Sequence, residues 1–182
     1  ILGLPLGRLV GQLVGWRITF SIIGILALVI MFLIIRLLPT LPSKNAGSVS
    51  SLPILAKRPL LIGLYATTVI IVSAHFTAYT YIEPFMIQIG HMDPNLATMI
   101  LLVFGISGVT ASVIFNRLYR LGAAQFIIHA ILLLALSLGF MLTSAGYTAT
   151  MFALAFIWGI GISCIGLALQ MRVLQLAPDA TD

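Results

Sequence analysis

Long apolar runs separated by short polar segments dominate this chain. Five of them approach the roughly 20 residues that a helix needs to cross a hydrocarbon layer about 30 Å thick, and they cover residues 18–38, 60–83, 96–115, 123–143 and 150–170. Residues 1–15 form a shorter apolar run, interrupted by Arg8 and Gln12, that cannot cross alone. The pattern therefore predicts an all-α membrane protein, a helical bundle whose sequence is an excerpt of a longer chain.

The composition excludes a water-soluble globule. Charged residues make up 7% of the chain and hydrophobic residues 61%, whereas a soluble surface is about 25–35% charged. The segment 39–59 differs because it is rich in Pro, Ser, Gly and Lys, a composition typical of linkers. We favour a linker between two membrane bundles, and the alternative is an ordinary loop within one bundle.

The charged residues indicate how the chain is oriented in the membrane. Nine Lys and Arg against four Asp and Glu give a net charge of +5. The basic residues lie between apolar runs and form no patch with interleaved aromatics, so we expect no nucleic-acid partner. Because Lys and Arg near short loops are retained on the cytoplasmic side, we predict cytoplasmic loops at 39–59, 116–122 and 171–182. The basic residues in or beside these loops are Arg36, Lys44, Lys57, Arg58, Arg117, Arg120 and Arg172.

The first apolar run has glycine at every fourth position. This spacing makes one groove along a helix where another helix can approach closely, and Pro5 is expected to kink it. An arginine inside a membrane costs about 2.5–3.5 kcal/mol even on the lowest scales, so Arg8 needs a polar surrounding. A pathway or gating role for Arg8 and a structural pair with a residue beyond this chain both stay open. The glycines are Gly3, Gly7, Gly11 and Gly15.

The run 60–83 carries a polar stripe that we predict to line a solute pathway. Its members lie within about 80° on a helical wheel, and they are Thr68, His75, Tyr79 and Glu83. His75 lies about 12 Å along the helix from Glu83, towards the middle of the bilayer. Each of these residues also has an alternative interpretation without a role in transport. His75 could be hydrogen-bonded to a neighbouring residue, Tyr79 could serve only in packing, and Glu83 could be a carboxylate at the membrane interface. The opposite face, with small hydroxyl residues, is expected to pack and to bond to its own carbonyls; it contains Ser73, Thr77 and Thr80.

Two further runs have faces of small residues. In the last run these are Gly159, Ser163, Gly166 and Gln170; we favour a helix contact for this face and expect Gln170 to touch solute. In the run 96–115 the corresponding residues are Thr98, Gly105, Gly108 and Ser112. Soluble-enzyme motifs do not occur in the sequence and its three histidines are scattered. We therefore expect no catalytic residue, cofactor or metal site.

The glycine-rich start also carries a family resemblance. Gly-Leu-Pro-Leu-Gly-Arg-Leu-Val-Gly-Gln-Leu-Val-Gly-Trp-Arg at 3–17, followed by Ile-Thr-Phe, resembles the antiporter motif in the fifth helix of major facilitator superfamily exporters, especially the bacterial drug and sugar efflux branch. Tyr-Ile-Glu-Pro at 81–84 and Asn-Arg-Leu-Tyr-Arg at 116–120 are similar to family positions at the ends of the seventh and eighth helices. Unlike the loops of many relatives, the second segment contains no acid.

The resemblance implies a two-bundle architecture of twelve helices, of which this excerpt runs from the end of the fifth to the tenth. Residues 1–38 would end the N-terminal bundle, 39–59 would be the cytoplasmic linker, and 60–182 would supply four helices of the C-terminal bundle. The implied activity is proton-coupled antiport with alternating access, by a monomer in the bacterial inner membrane.

The residues of the stripe refine the expected solute. A neutral polyhydroxy solute, such as a sugar, suits His75, Tyr79, Glu83 and Gln170, because it needs several donors and acceptors but no counter-ion. The expected partners are therefore a sugar-like solute, protons and the lipid bilayer. The main alternative is a drug or multidrug antiporter. A membrane-embedded enzyme and a membrane scaffold that transports nothing are less favoured.

Overall fold

The computed structural model describes residues 3–39 and 57–176; the side chains of Leu4, Pro5, Arg8, Leu9 and Gln12 are outside the description. Helices make up the regular structure of these two ranges. They are α1 (Gly3–Val14), α2 (Trp16–Leu37), α3 (Pro59–Pro84), α4 (Pro94–Leu118), α5 (Ala123–Gly139) and α6 (Thr148–Leu176). A π-helical turn, Phe85–Ile89, continues α3, and a 3-10 turn, Tyr119–Leu121, continues α4. Nearly all of the predicted linker lies outside the described residues.

Four of the described helical segments are long and apolar enough to cross a membrane: Trp16–Leu37, Pro59–Ile89, Pro94–Leu121 and Thr148–Leu176. The predicted span 123–143 differs, because α5 has 17 residues and ends at Gly139, short of position 143. The chain beyond it folds into turns closed by backbone bonds such as Ser144 N to Phe140 O at 3.1 Å. Gly146 has φ 89°, a conformation that favours glycine. The predicted end at position 143 was wrong because apolar residues continue beyond Gly139, where the helix ends.

The helix starts follow local chemistry. Asp93 precedes α4, and its carboxylate accepts a hydrogen bond of 2.7 Å from the backbone N–H of Asn95, the usual role of an N-cap aspartate. Pro59 and Pro94 occupy first-turn positions, where a missing N–H costs nothing. Gly15 separates α1 from α2 with φ 83° and ψ 155°, a region that is essentially restricted to glycine. The prediction that Gly15 extends the groove of α1 was therefore wrong, because this residue breaks the helix.

Helix α6 is the centre of the described bundle. Half of its apolar window (50%) is buried, against 11% for α3 and 6% for α2. It packs along α4 and α5 and contacts α3, while α1 contacts both α2 and α4. The largest fully buried side chains are Trp158, Phe104, Leu61, Met86 and Ile100. The core therefore lies where α6 meets α4, with α3 at its edge.

Small residues allow this close packing. A Cβ added to Gly159 would overlap the Ser107 hydroxyl and lie 2.6 Å from the Phe104 carbonyl oxygen of α4. A Cβ on Gly161 would lie 3.2 Å from the Leu134 nitrogen of α5. The helix contact that we favoured for this face is thus confirmed at Gly159. It does not extend along the whole face, because Gly166 and Gln170 are exposed.

Candidate functional site

The polar stripe of α3 lies on the side that faces the rest of the bundle. His75 is buried, and Thr68, Tyr79 and Glu83 are half-buried. Leu61, seven residues before Thr68, is buried on the same face. The opposite face is exposed within the described ranges, so the packing we expected there is not seen among these residues. Its hydroxyls do bond to their own helix, as predicted, since Thr77 and Thr80 donate to carbonyl oxygens four residues earlier at 2.8 and 2.7 Å.

Helices α3 and α6 run antiparallel, with three contacts that fix their register. At one end the Arg58 guanidinium donates a hydrogen bond of 3.1 Å to the Leu176 carbonyl oxygen. In the middle the rings of His75 and Trp158 meet at 5.6 Å. Beyond the other end, the Cβ position of Gly90 lies 3.5 Å from the backbone nitrogen of Gly146. We call the end at Leu176, where α3 begins and α4 also finishes, the basic end.

Four rings from three helices form what we call the aromatic cluster: His75 and Tyr79 of α3, Phe104 of α4 and Trp158 of α6. Phe104 and Trp158 are 4.8 Å apart between ring centroids, and His75 stacks on Tyr79 at 5.7 Å and on Phe104 at 6.0 Å. Phe104 and Trp158 are fully buried, and His75 is 7% exposed. Packing on several sides therefore fixes the orientation of each ring.

The aromatic cluster contains two buried polar atoms that lack hydrogen-bond partners in the described chain, Nδ1 of His75 and Nε1 of Trp158. The great majority of buried side-chain polar atoms have a partner, so two exceptions in contacting rings require an explanation. The indole nitrogen can only donate, and an imidazole nitrogen donates or accepts according to tautomer. Together they can serve a ligand that carries both acceptors and donors, such as an alcohol.

A groove between α3 and α6 leads from the cluster towards the basic end. Its volume is about 180 Å³ and its walls are mostly apolar. Tyr65, Thr68 and Gln170 supply the polar side chains of its lining, and the Thr68 hydroxyl donates to the Leu64 carbonyl oxygen at 2.8 Å. Nothing lies within 4 Å of a Cβ added to Gly166, so the absence of a side chain there keeps one wall open.

The structure therefore joins four of the predicted pathway residues into two neighbouring sets: Thr68 with Gln170 in the groove, and His75 with Tyr79 in the cluster. Glu83 lies two turns beyond His75, about 12 Å along α3. Arg8 and Pro5 belong to α1, but their side chains lie outside the described part. Among the α1 glycines, a Cβ on Gly11 would lie 3.8 Å from the Thr19 hydroxyl.

The sequence interpretation missed Phe104 and Trp158, which supply half of the aromatic cluster. Both lie in largely apolar helices, and neither belongs to a polar stripe. A usable signal was Trp158 directly before Gly159, because a large ring beside a close helix contact is held in place. That Trp158 contacts His75 of α3 follows from the antiparallel register of the two helices, and this register is known only from the folded structure.

Four described helices that are long and apolar enough to cross a membrane indicate a multi-pass membrane protein. The buried polar atoms near mid-helix are typical of transporters, whose sites lie near the bilayer midplane. A family model described as the Major Facilitator Superfamily matches residues 1–181, and the chain belongs to this family. The fold of this family is the two-bundle architecture of twelve helices that the resemblance implied, and the chain is part of it.

Curated relatives match the chain over its whole length. It is 70% identical over 182 residues to a probable sugar efflux transporter of Haemophilus influenzae. It is 58% identical to one of Mannheimia succiniciproducens and 50% identical to one of Helicobacter pylori, each again over 182 residues. The chain covers 46% of each of these relatives, so it spans about half of their length.

Proposed function

We propose that the complete protein exports a sugar and that the aromatic cluster and the groove form the C-terminal half of its solute site. The observation that carries this proposal is the pair of buried, unpartnered nitrogens on contacting rings, His75 Nδ1 and Trp158 Nε1. The relatives named above are described as probable sugar efflux transporters, which supports the same solute class.

The chemistry of the cluster suits a sugar. A pyranose has an apolar C–H face that packs on an aromatic ring and a rim of hydroxyls that donate and accept. Trp158 offers one ring and one donor, and His75 offers a second polar atom beside it at a ring separation of 5.6 Å. A site built to hydrogen-bond a hydroxyl also rejects analogues that lack it, because its buried groups then stay unpaired.

The same residues disfavour a cationic drug, the main alternative. A cationic solute in a membrane interior needs a carboxylate partner. Neither the groove lining nor the cluster contains an acidic residue. Glu83 lies about 6 Å beyond Tyr79 along α3, on the side of the cluster away from the groove. A neutral solute therefore fits the described site better.

We further propose alternating access between two bundles, with proton influx driving export across the bacterial inner membrane by a monomer. The cluster is closed in this conformation, and the groove beneath it leads to the basic end, which we assign to the cytoplasm from the positive-inside pattern. Solute would enter through the groove and reach the rings before the outer side opens. Glu83 is our candidate for the proton-linked group, because it is half-buried in the last turn of α3.

The test is sugar transport by the complete protein in proteoliposomes, with and without a pH gradient. Trp158→Phe keeps a ring but removes the nitrogen, so we expect kcat/KM for the sugar to fall about 3- to 10-fold, the effect of one hydrogen bond. Trp16→Phe is the matched control, since the other of the two tryptophans is exposed on α2. Equal effects of the two substitutions, or transport of cationic drugs without sugars, would contradict the proposed site.

Proton coupling has its own test. Glu83→Gln should abolish the response of transport to a pH gradient while sugar exchange at equal pH continues. Asp93→Asn is the control, because Asp93 caps α4 outside the groove and asparagine caps equally well. If Glu83→Gln kept the full response to the gradient, the proton-linked group would lie elsewhere in the protein.

A further inference from the structure

A second cavity opens at the basic end, between the last turns of α4 and α6. Its volume is about 240 Å³, roughly eight times the ~30 Å³ that one water molecule occupies in the liquid. It shares no lining residue with the groove between α3 and α6, so it is a separate site. Its lining consists of Phe115, Asn116, Tyr119, Arg120, Met171 and Gln175.

Tyr119 provides the first sign of a ligand. Its ring stacks on Phe115 at a centroid distance of 4.6 Å and meets the edge of Phe126 at 5.8 Å. The ring is therefore fixed between two others. Its hydroxyl is buried and has no hydrogen-bond partner among the described residues. A phenol held in this way beside a cavity is a donor that can take an acceptor from outside the described chain.

The other polar groups of the cavity also offer donors. Arg120 brings a guanidinium, and Asn116 and Gln175 bring amides. The Gln175 side-chain oxygen accepts a long hydrogen bond of 3.4 Å from Arg172, which leaves its amide nitrogen to donate. No acid lines the cavity, and the acids within 3–39 and 57–176, Glu83 and Asp93, lie at the opposite ends of their helices.

A set of donors with one guanidinium matches an anion with several acceptor oxygens. Phosphate is such an anion, and arginine recognises it through two parallel hydrogen bonds. The cavity lies at the ends of two membrane-length helices, at the level where phospholipid headgroups lie. Basic pockets between transmembrane helices on the cytoplasmic side bind anionic headgroups, and Phe115 and Met171 give an apolar floor for the start of the acyl chains.

We propose that this cavity binds the phosphate group of an anionic phospholipid of the cytoplasmic leaflet. The bound headgroup would bridge α4, through Tyr119 and Arg120, to α6, through Gln175. It would hold the basic ends of these two helices together. Free inorganic phosphate has the same acceptor oxygens but no acyl chains to hold it at the membrane surface, so the two sources can be separated by experiment.

The experiment uses the complete protein in phosphatidylcholine nanodiscs with increasing fractions of phosphatidylglycerol and follows the apparent melting temperature. We expect the melting temperature to rise with the phosphatidylglycerol fraction. Arg120→Gln and Tyr119→Phe should each raise the fraction needed for half of this rise about 3- to 10-fold. Tyr119→Phe should not lower the melting temperature in pure phosphatidylcholine, since the hydroxyl has no partner in the described chain.

Arg36→Gln is the matched control, because Arg36 ends α2 on the predicted cytoplasmic side but is outside the cavity. It should keep the midpoint of the unsubstituted protein. A shift equal to that of Arg120→Gln would mean attraction by surface charge alone, and would overturn the proposal. Unchanged midpoints in both cavity variants, or no response of the unsubstituted protein to phosphatidylglycerol, would overturn it too. Millimolar phosphate that stabilises the protein in detergent, without any lipid effect, would overturn the lipid assignment and give the site to free phosphate.

Discussion

Gly159→Ala tests whether the contact between α4 and α6 limits the position of the aromatic cluster. The new Cβ would overlap the Ser107 hydroxyl and lie 2.6 Å from the Phe104 carbonyl oxygen, where ordinary contacts begin at 3.4 Å. The hydroxyl can rotate away, but the carbonyl belongs to a helix backbone. Relief therefore requires the two helices to separate locally by about 0.8 Å, enough to lose a quarter to a half of each affected dispersion contact.

Two opposing contributions decide how Gly159→Ala changes the free energy of unfolding. Alanine is favoured over glycine in a helix by about 1 kcal/mol, whereas overpacking a tight contact costs typically 1–3 kcal/mol. Gly166→Ala on the same helix meets only the first term, because nothing lies within 4 Å of its Cβ. The difference between the two variants therefore isolates the steric term, and we expect Gly159→Ala to be less stable than Gly166→Ala by about 1–3 kcal/mol.

The assay is an unfolding titration of the complete protein with sodium dodecyl sulfate, together with sugar transport. Gly159→Ala should also impair transport, since Phe104 and Trp158 adjoin the displaced contact. Ser107→Ala added to Gly159→Ala should recover part of the stability, because it removes the hydroxyl but leaves the carbonyl. Equal stability of Gly159→Ala and Gly166→Ala would refute the reasoning, because the close approach of the helices would then not be limiting.

Two smaller predictions concern the ends of helices. Gly15→Ala forces a side chain into a backbone conformation with φ 83°, so it should cost about 1–3 kcal/mol of unfolding free energy, while Gly24→Ala, with nothing near its Cβ, should cost none. Arg58→Gln removes a cation from the carbonyl of Leu176 at the C-terminal end of α6. We expect it to lower the free energy of unfolding by about 0.3–1 kcal/mol. Lys57→Gln is its control, and the same detergent titration measures all four variants; equal values within either pair would contradict the prediction.

The sequence was sufficient for the spans and insufficient for their ends. A run of about 20 apolar residues is a strong signal: it placed α2, α3 and α4 to within three residues at each end, but it ended α6 six residues early. The same signal carried the predicted span 123–143 past Gly139, because several of the residues that follow are apolar although they form turns. It also ended the predicted span 60–83 before Pro84, whereas the helical backbone continues through this proline into a π-helical turn, closed by Gly90 N to Phe85 O at 3.0 Å.

For the candidate site, the sequence supplied one helix face but not the residues opposite. The wheel position of His75 and Tyr79 follows from spacing alone, and the structure places both rings in contact. That Phe104 and Trp158 complete the cluster depends on the register of α3 against α6 and on the close approach at Gly159. Both depend on contacts between residues far apart in the chain, which the sequence alone does not show.

Helix α6 contacts α4 and α5 differently from α3, and this difference indicates which helix can move. Gly159 and Gly161 bring α6 against the backbones of α4 and α5, so a shift of this helix would break many close contacts at once. Helix α3 instead meets α6 through side chains: one guanidinium at the basic end, a groove of about 180 Å³, and the aromatic cluster. A helix held by rings and a groove can tilt at lower cost than one held by backbone contacts. We therefore expect α3 to move against a fixed unit of α4, α5 and α6 when the site opens, and His75, at the junction, to exchange its ring contacts for solute hydroxyls.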